Sequence, residues 1–371
     1  MRTEGNTILF IINSIQNPRC IKRVNEFIDK GYDVVVYAFN RSGDVYNNDI
    51  KFEINYLDAY SNNLSYIKRI PIIYRSIKRI VAENKKNNLI YYLFSLEVAM
   101  MYFVITGGKK YIYEESDLMH TYLHNRFLRW CLEKLDKTII RKSLMTVFTS
   151  EGFRIYHFGE KKPSNCWIIP NKLSSDISQI ETIPKNKHDN LRIGFVGHIR
   201  YESVRSFSYY FCKNFPNDEF HFFGDISSDK EILMFKPLEN FPNCFFHGTF
   251  KTPIDLPKVY AQIDVVLSTY DVVYENVRYA EPNKLYEAIY FKTPIIVSAG
   301  CYLGSKVKDL EVGYTVDALK EKEVIECVKQ LAPDSLNRIG RTMENLGKDY
   351  SINNNEVFFN KLSTVISNLN N

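Results

Sequence analysis

Unbroken apolar runs alternating with helical periods constrain this chain more than any other feature. Residues 7–12 read T-I-L-F-I-I. From Cys20 to Lys30 the residues Ile21, Val24, Phe27 and Ile28 recur at helical spacing, Gly31 stands where that helix would end, and 32–39 is a second apolar run. A strand buried on both faces has no polar alternation, so this β-α-β start predicts a parallel sheet covered by helices on both sides. The pattern continues with strands expected over 50–57, 89–94, 110–114, 145–149 and 166–169, and helices over 64–86, 96–106, 122–142 and 151–157. Residues 173–190 are polar, contain Pro184 and lack a period, and read as a linker. At Leu191 the alternation restarts, with strands expected over 191–196, 220–223, 244–247, 265–268, 294–298 and 312–316, and helices over 207–215, 256–263 and 283–291. Three more helices close the chain. This is an α/β chain of two doubly wound parallel-sheet, Rossmann-like domains, 1–172 and 191–349. The length of 371 residues agrees, being too long for one domain.

Two such domains imply a cleft, and ligands of these sheets sit beyond the carboxyl ends of the strands. The loops after Ile12, Glu114, Val196 and Ser268 are therefore the expected site. Hydrophobic residues at 45% and charged residues at 25% exclude a disordered, collagen-like or fibrous chain. Seven cysteines without a C-x-x-C pair argue against a disulfide framework and a structural zinc site. No secretory signal pattern and no apolar run near ~18 residues is present, so a cytoplasmic protein without a membrane span is expected.

The net charge of +5 is unevenly spread. Residues 1–171 hold 25 Lys+Arg against 17 Asp+Glu, leaving 23 against 26 in the remainder. A basic half suits an anionic partner. Residues 66–86 carry Lys68, Arg69, Arg75, Lys78, Arg79, Lys85 and Lys86 among isoleucines such as Ile67 and Ile70. Residues 126–142 carry Arg126, Arg129, Lys134, Lys137, Arg141 and Lys142 among Phe127, Leu128, Trp130 and Leu132. Basic amphipathic helices with aromatic residues suit an anionic membrane surface, and they also suit a core helix with a basic outer face. Nucleic acid is not expected, since no recognition motif accompanies the charge.

Three segments carry candidate chemistry. In 281–298, E-P-N-K-L-Y-E-A-I-Y-F-K-T-P-I-I-V-S, Pro282 suits the first turn of a helix. Lys284 and Glu287 then share a face near its start. A carboxylate there can accept from both hydroxyls of a ribose, and the lysine favours a phosphate. The same spacing also describes a surface ion pair. In 194–200 a strand runs into Gly197, which admits a ligand close to the backbone, and Arg200 offers a planar fork of donors to a diphosphate. A tight turn with an exposed arginine is the alternative. At 113–117 clustered carboxylates end a strand, so Asp117 and Glu115 are candidates for acid or base work. Asp117 also suits a helix cap. His120 is a second candidate base, although a lone histidine often only packs. Asn13, Ser14 and Arg19 follow the first strand. No D-x-D tripeptide, P-loop or G-x-S-x-G is present, and no metal site is expected.

The run 282–298 resembles the donor-binding segment of retaining GT-B glycosyltransferases of family 4, of the bacterial surface-polysaccharide type, which carry P-x-K-x-x-E-x-x-x-x-x-x-P before a hydrophobic strand. The likeness extends in outline over the chain, with I-G-F-V-G-H-I-R-Y at 193–201, I-P-N at 169–171 and N-P-R at 17–19. It implies a GT-B fold with the domains facing across a cleft and 350–371 returning toward the first domain. It implies donor binding by Gly197, Arg200, Asn283, Lys284, Leu285 and Glu287, with Glu287 on the ribose. Asn13, Arg19 and His120 would line the acceptor side, and Asp117 or Glu115 would act in catalysis. Many members have a second glutamate eight positions before the ribose-binding one, where this chain has Tyr279. Glu275, Asn276 and Glu281 are the nearby polar candidates for the donor sugar. The implied function is retaining, metal-independent transfer from a nucleotide sugar to a saccharide acceptor, expected to be lipid-linked, in capsule, exopolysaccharide or O-antigen synthesis. No cofactor beyond the nucleotide sugar is implied, and the expected location is peripheral at the inner face of the plasma membrane. A nucleotide-sugar epimerase and a non-catalytic partner protein are the alternatives.

Overall fold

The computed structural model describes residues 7–41, 50–58, 64, 66–85, 89–185 and 188–370. The chain divides into two compact units, one of Met1–Pro170 with Asn355–Asn371 and one of Asn171–Asn354. The first unit holds seven strands: β1 (Ile8–Ile12), β2 (Val34–Phe39), β3 (Ile54–Leu57), β4 (Ile90–Phe94), β5 (Tyr111–Glu115), β6 (Met145–Phe148) and β7 (Cys166–Ile168). They run parallel in the order β3-β2-β1-β4-β5-β6-β7. Every residue of β1, β4, β5 and β6 is buried, as unbroken apolar runs require.

Ile8, Phe10 and Ile12 of β1 share a core with Tyr92 and Phe94 of β4 and with Val24 and Phe27 of the helix Pro18–Asp29. That helix begins where Asn17 accepts from the Arg19 amide and Pro18 takes the first turn. The last helix, Glu356–Asn370, completes this core with Phe358, Phe359, Leu362 and Ile366. The Phe359 ring lies 5.0 Å from that of Phe27, and Phe358 lies 6.0 Å from Trp167.

The second unit holds β8 (Arg192–Val196), β9 (Glu219–Phe223), β10 (Cys244–Phe246), β11 (Val265–Ser268), β12 (Ile295–Ser298) and β13 (Gly313–Val316), all parallel in the order β10-β9-β8-β11-β12-β13. Successive strand residues enter opposite cores. Val196, Val266, Ile295 and Val297 join one, while Ile193, Phe195, Val265, Leu267 and Ile296 join the other.

Residues 173–190, expected as a linker, pack on the second unit as far as they are described. Leu173 and Ile177 are buried in its core, and Leu173 exchanges backbone hydrogen bonds with Ser351 and Asn353. Two helix starts also differ from expectation. The helix expected at 207 begins at Glu202, because the Asp271 carboxylate accepts from the Glu202 and Ser203 amides at 3.2 and 2.8 Å. That cap comes from a loop far away in sequence. The helix expected at 122 begins at Arg126, where Asn125 accepts from the Leu128 amide, and a 3-10 turn occupies Met119–Tyr122.

Removing a buried phenyl ring typically costs about 3–5 kcal/mol. Phe359→Ala is therefore expected to destabilise the first unit by about 3 kcal/mol, which urea unfolding followed by tryptophan fluorescence measures; an unchanged midpoint would show that the last helix is not part of that core.

Candidate functional site

The strand order of the second unit reverses between β8 and β11, since β8 leads to β9 on one side while β11 lies on the other. Such a switch point, outside the carboxyl ends of the strands, is where ligands of open α/β sheets bind. β8 runs into Gly197, whose φ of 130° suits glycine and whose amide donates to the Phe223 carbonyl at 2.7 Å. Gly224 ends β9 in the same manner; a Cβ there would sit 1.9 Å from the Gly197 carbonyl oxygen. A Cβ on Gly197 would lie 2.9 Å from Lys284 Nζ. The bare backbone of Gly197 and the Lys284 ammonium are thus adjacent.

Lys284 opens the helix Lys284–Tyr290 and is 8% exposed. Its Nζ donates to the Tyr270 hydroxyl at 3.3 Å and lies over the rings of Phe195 at 5.1 Å and Tyr270 at 5.8 Å. Tyr270 stands just past β11, so both sides of the switch point contribute. Glu287, one turn along, is buried. Its Oε2 accepts from the Tyr260 hydroxyl at 2.8 Å and its Oε1 accepts from Asn283 Nδ2 at 2.6 Å. Burial raises the pKa of this carboxyl, while Lys284 and the Tyr260 hydrogen bond pull it down. Arg200 is exposed, held by its neighbour alone among the contacts described: Nη2 donates to the Tyr201 hydroxyl at 2.7 Å, and the guanidinium lies 4.8 Å from that ring.

Other expected donor residues fall elsewhere. The side chain of Leu285 is wholly buried among Val196, Val259 and Ala288. Glu281 is buried against Lys306 Nζ at 2.6 Å and the Tyr286 hydroxyl, so one of its oxygens is committed to internal bonds. Glu275 and Asn276 lie on the short helix Glu275–Tyr279, half-buried and buried respectively, and Tyr279 ends it.

In the first unit Asn13 is half-buried just past β1. Arg19 lies with Nε 3.3 Å from Glu114 Oε1, so this expected acceptor residue is an ion-pair partner of a buried carboxylate. Glu114 also accepts from Arg23 Nε at 3.0 Å and from the Tyr92 hydroxyl at 2.5 Å. Asp117 is exposed. Glu115 and His120, expected at an open site, are both 0% exposed, and no acceptor can reach them in this conformation. Glu115 lies on a strand buried on both faces, and His120 lies on the 3-10 turn Met119–Tyr122. Glu115 meets His157 Nε2 at 2.9 and 3.0 Å. Burial and the nearby Asp136 charge push its carboxyl up to about 8 against the pull of His157. His120 Nε2 is 3.2 Å from the Tyr156 hydroxyl, and its Nδ1 is 3.5 Å from Asp136 Oδ2. Asp136, His157, Tyr260 and Tyr270 were not among the expected residues. They carry no local sequence signal, and only the fold brings them to these partners.

No protein-family model matches the chain, and no curated protein matches it in sequence. Solved structures do match in fold. A sucrose-phosphate synthase from Thermosynechococcus elongatus aligns over 98% of this chain and 99% of its own, with a TM-score of 0.73 and 13% identity. WaaG, a glycosyltransferase involved in lipopolysaccharide biosynthesis, aligns over 92% and 95% with a TM-score of 0.65 and 15% identity. HepE from Anabaena, solved with UDP and glucose, aligns over 97% and 99% with a TM-score of 0.66 and 10% identity.

Glu287 is the acceptor for the buried Tyr260 hydroxyl and the half-buried Asn283 amide, and a buried donor left unsatisfied costs about 1–3 kcal/mol. Glu287→Ala is expected to lower stability by about 3 kcal/mol and Glu287→Gln by less, read from chemical denaturation. Equal stability of the alanine variant and the parent would show that these hydrogen bonds are not held in solution. At these identities the matches establish one thing about the chain: two parallel-sheet Rossmann-like units in the GT-B fold.

Proposed function

We propose that this protein transfers a sugar from a nucleotide-sugar donor to a saccharide acceptor with retention of anomeric configuration, and that its second unit binds the donor. The observation that carries this is the meeting of Gly197, Tyr270 and Lys284 at the switch point between β8 and β11. A glycine without a side chain lets phosphate oxygens approach the backbone, and a half-desolvated ammonium beside it attracts their charge. Arg200, exposed at the end of the same loop, turns from the Tyr201 hydroxyl to the second phosphate. Glu287, fixed by Asn283 and Tyr260, keeps further lone pairs for the two ribose hydroxyls. Lys284 and Arg200 supply the cationic charge that a leaving diphosphate needs, so no divalent cation is assigned to that step. Asp117, the exposed acid after β5, is assigned to the acceptor side together with Asn13. UDP and glucose in the HepE structure are the kind of ligand such a donor site takes.

Loss of one charge-assisted phosphate contact costs about 1.5–3 kcal/mol, or about 10- to 150-fold in affinity. Arg200→Ala and Lys284→Met are each expected to weaken nucleoside diphosphates by that factor in calorimetry while leaving the matching nucleosides nearly unchanged. Equal losses for both ligand types would mean that these residues are structural. Consumption of donor without transfer to any saccharide would favour an epimerase, and no donor turnover at all would favour a non-catalytic partner.

The acceptor is assigned as lipid-linked, in capsule, exopolysaccharide or O-antigen synthesis at the cytoplasmic face of the membrane. Support comes from the surface of the first unit. On the helix Arg126–Lys142 the rings of Phe127 (69% exposed) and Trp130 (55%) stack 6.3 Å apart beside Leu128 (51%), flanked by exposed Arg126 and Lys134. On the helix Tyr66–Glu83, Lys68, Arg75, Lys78 and Arg79 are exposed beside Ile70 and Tyr74. Arg69 is buried and drops out of this surface, while Lys86 and the side chain of Ile67 lie outside the described residues. No helix among the described residues is long and apolar enough to cross a membrane. Each basic residue near an anionic bilayer contributes about 1 kcal/mol, so four hold a protein reversibly. The chain is expected to sediment with anionic but not neutral liposomes at low salt and to be released at high salt, where the Debye length falls to about 3 Å. Lys68, Arg75, Lys78 and Arg79 changed together to Glu should abolish sedimentation. Binding that ignores salt, or none, would remove the membrane from this proposal.

A further inference from the structure

Glu115, Asp136 and His157 are far apart in sequence, yet their ligand atoms lie within 4.8 Å of one another and all three residues are buried. They come from three elements of the first unit: the end of β5, the helix Arg126–Lys142 and the helix Glu151–Phe158. His120 joins them from the intervening 3-10 turn, with Nδ1 3.5 Å from Asp136 Oδ2. The Glu115 oxygens are 2.9 and 3.0 Å from His157 Nε2, and Asp136 Oδ2 is 3.9 Å from the same nitrogen. An ion with metal–ligand bonds of about 2.0–2.1 Å in tetrahedral geometry has ligand–ligand edges of about 3.3 Å. The separations among Glu115, Asp136 and His157 lie on both sides of that value, and His120, set against Asp136, completes the shell by swinging toward the other three.

The charges point the same way. Both carboxylates are 0% exposed, and among the described residues their ion-pair partners are imidazoles. The Asp136 side chain is only 1% exposed, and its neighbours are the Tyr113 hydroxyl and the His120 and His157 imidazoles, with no lysine or arginine paired to it among the described residues. Two buried carboxylates side by side are strongly disfavoured unless a cation faces them. One divalent ion cancels both carboxylates and leaves both imidazoles neutral, as ligation requires. His120 also has the outer partner that ligating histidines use, since its Nε2 faces the Tyr156 hydroxyl.

We infer that Glu115, Asp136, His120 and His157 bind one divalent transition-metal ion of the zinc class inside the first unit, where it ties β5 to two helices. Two nitrogens and two carboxylate oxygens suit zinc, cobalt(II) or iron(II) better than calcium or magnesium. The ion is structural and takes no part in the donor chemistry proposed for the second unit. The competing arrangement has no metal: His157 keeps a proton on Nε2 and donates it to Glu115.

The test uses the full chain without a polyhistidine tag, purified without chelator. Plasma mass spectrometry is expected to find about one zinc-class ion per chain. Stripping with chelator should lower the melting temperature, and added Zn²⁺ should restore it. Reloading with Co²⁺ should give the intense visible bands of a four-coordinate site. Asp136→Asn and His157→Gln should each cut bound metal at least about tenfold, with far-ultraviolet circular dichroism showing that they fold. Should either variant fail to fold, metal content and the cobalt spectrum of the unaltered chain decide alone. A metal-free chain whose melting temperature ignores Zn²⁺, or a cobalt spectrum of the hydrated ion only, would overturn the inference in favour of the proton-sharing pair.

Discussion

Parallel strands buried on both faces govern everything else in this molecule. Neighbouring strands that run the same way need a crossover, and the crossover covers a face of the sheet. All strand carboxyl ends then open on one edge of each sheet, where the loops carry polar residues beside the few apolar ones, such as Ile15 and Ile199, that anchor them in the core. β1, β4, β5 and β6 are buried along their whole length, so chemistry has nowhere to go except past their ends. Asn13, Asp117, Gly197 and Tyr270 all stand at such ends. The edge is therefore a consequence of hydrophobic patterning rather than a separate design.

Concentrating polar groups at these edges buries acids, and each one needs an answer. Glu114 has two arginines, Arg19 and Arg23, and the Tyr92 hydroxyl. Glu281 has Lys306 and Tyr286. Glu287 has Tyr260, Asn283 and the nearby Lys284. Glu115 differs, because histidine is its partner and a second carboxylate, Asp136, shares the pocket. The first three are arrangements that close electrostatically within the chain. The fourth pairs two buried carboxylates with imidazoles alone; burial first and the Asp136 charge second push the Glu115 carboxyl upward.

Much of this was legible in the residues. The two-sheet architecture follows from runs such as 7–12 and 265–268, whose lack of alternation is unambiguous once helical periods lie between them. Lys284 and Glu287 were legible as a pair because helical spacing puts them on one face. Leu285, between them, was overread: a motif names consecutive positions, while the helix turns this one into the core. Glu115 ends a strand, which suggested an open site, but β5 is buried on both faces and the helices Arg126–Lys142 and Glu151–Phe158 cover this end of it, while Asp117 lies beyond them and is exposed. Helix starts were missed where the cap came from elsewhere, as with Asp271 at Glu202.

The sequence by itself determined the fold class, the strand order and the glycine that ends β8, because burial periodicity and backbone freedom are local properties; the short helices Asp229–Phe235, Glu275–Tyr279 and Tyr302–Asp309 were not legible in it. Tertiary structure alone decided which polar groups meet. It set Lys284 against Gly197 and Tyr270, gave Glu287 to Tyr260, put Phe359 on Phe27 and gathered Glu115, Asp136, His120 and His157. His120 and His124 stand four apart, a spacing the reading of the chain passed over, yet His124 is exposed and the partners of His120 come from other helices. Hydrogen bonds and ion pairs act over a few ångströms, and at that range proximity is set by how helices pack on a sheet, which no spacing along the chain encodes.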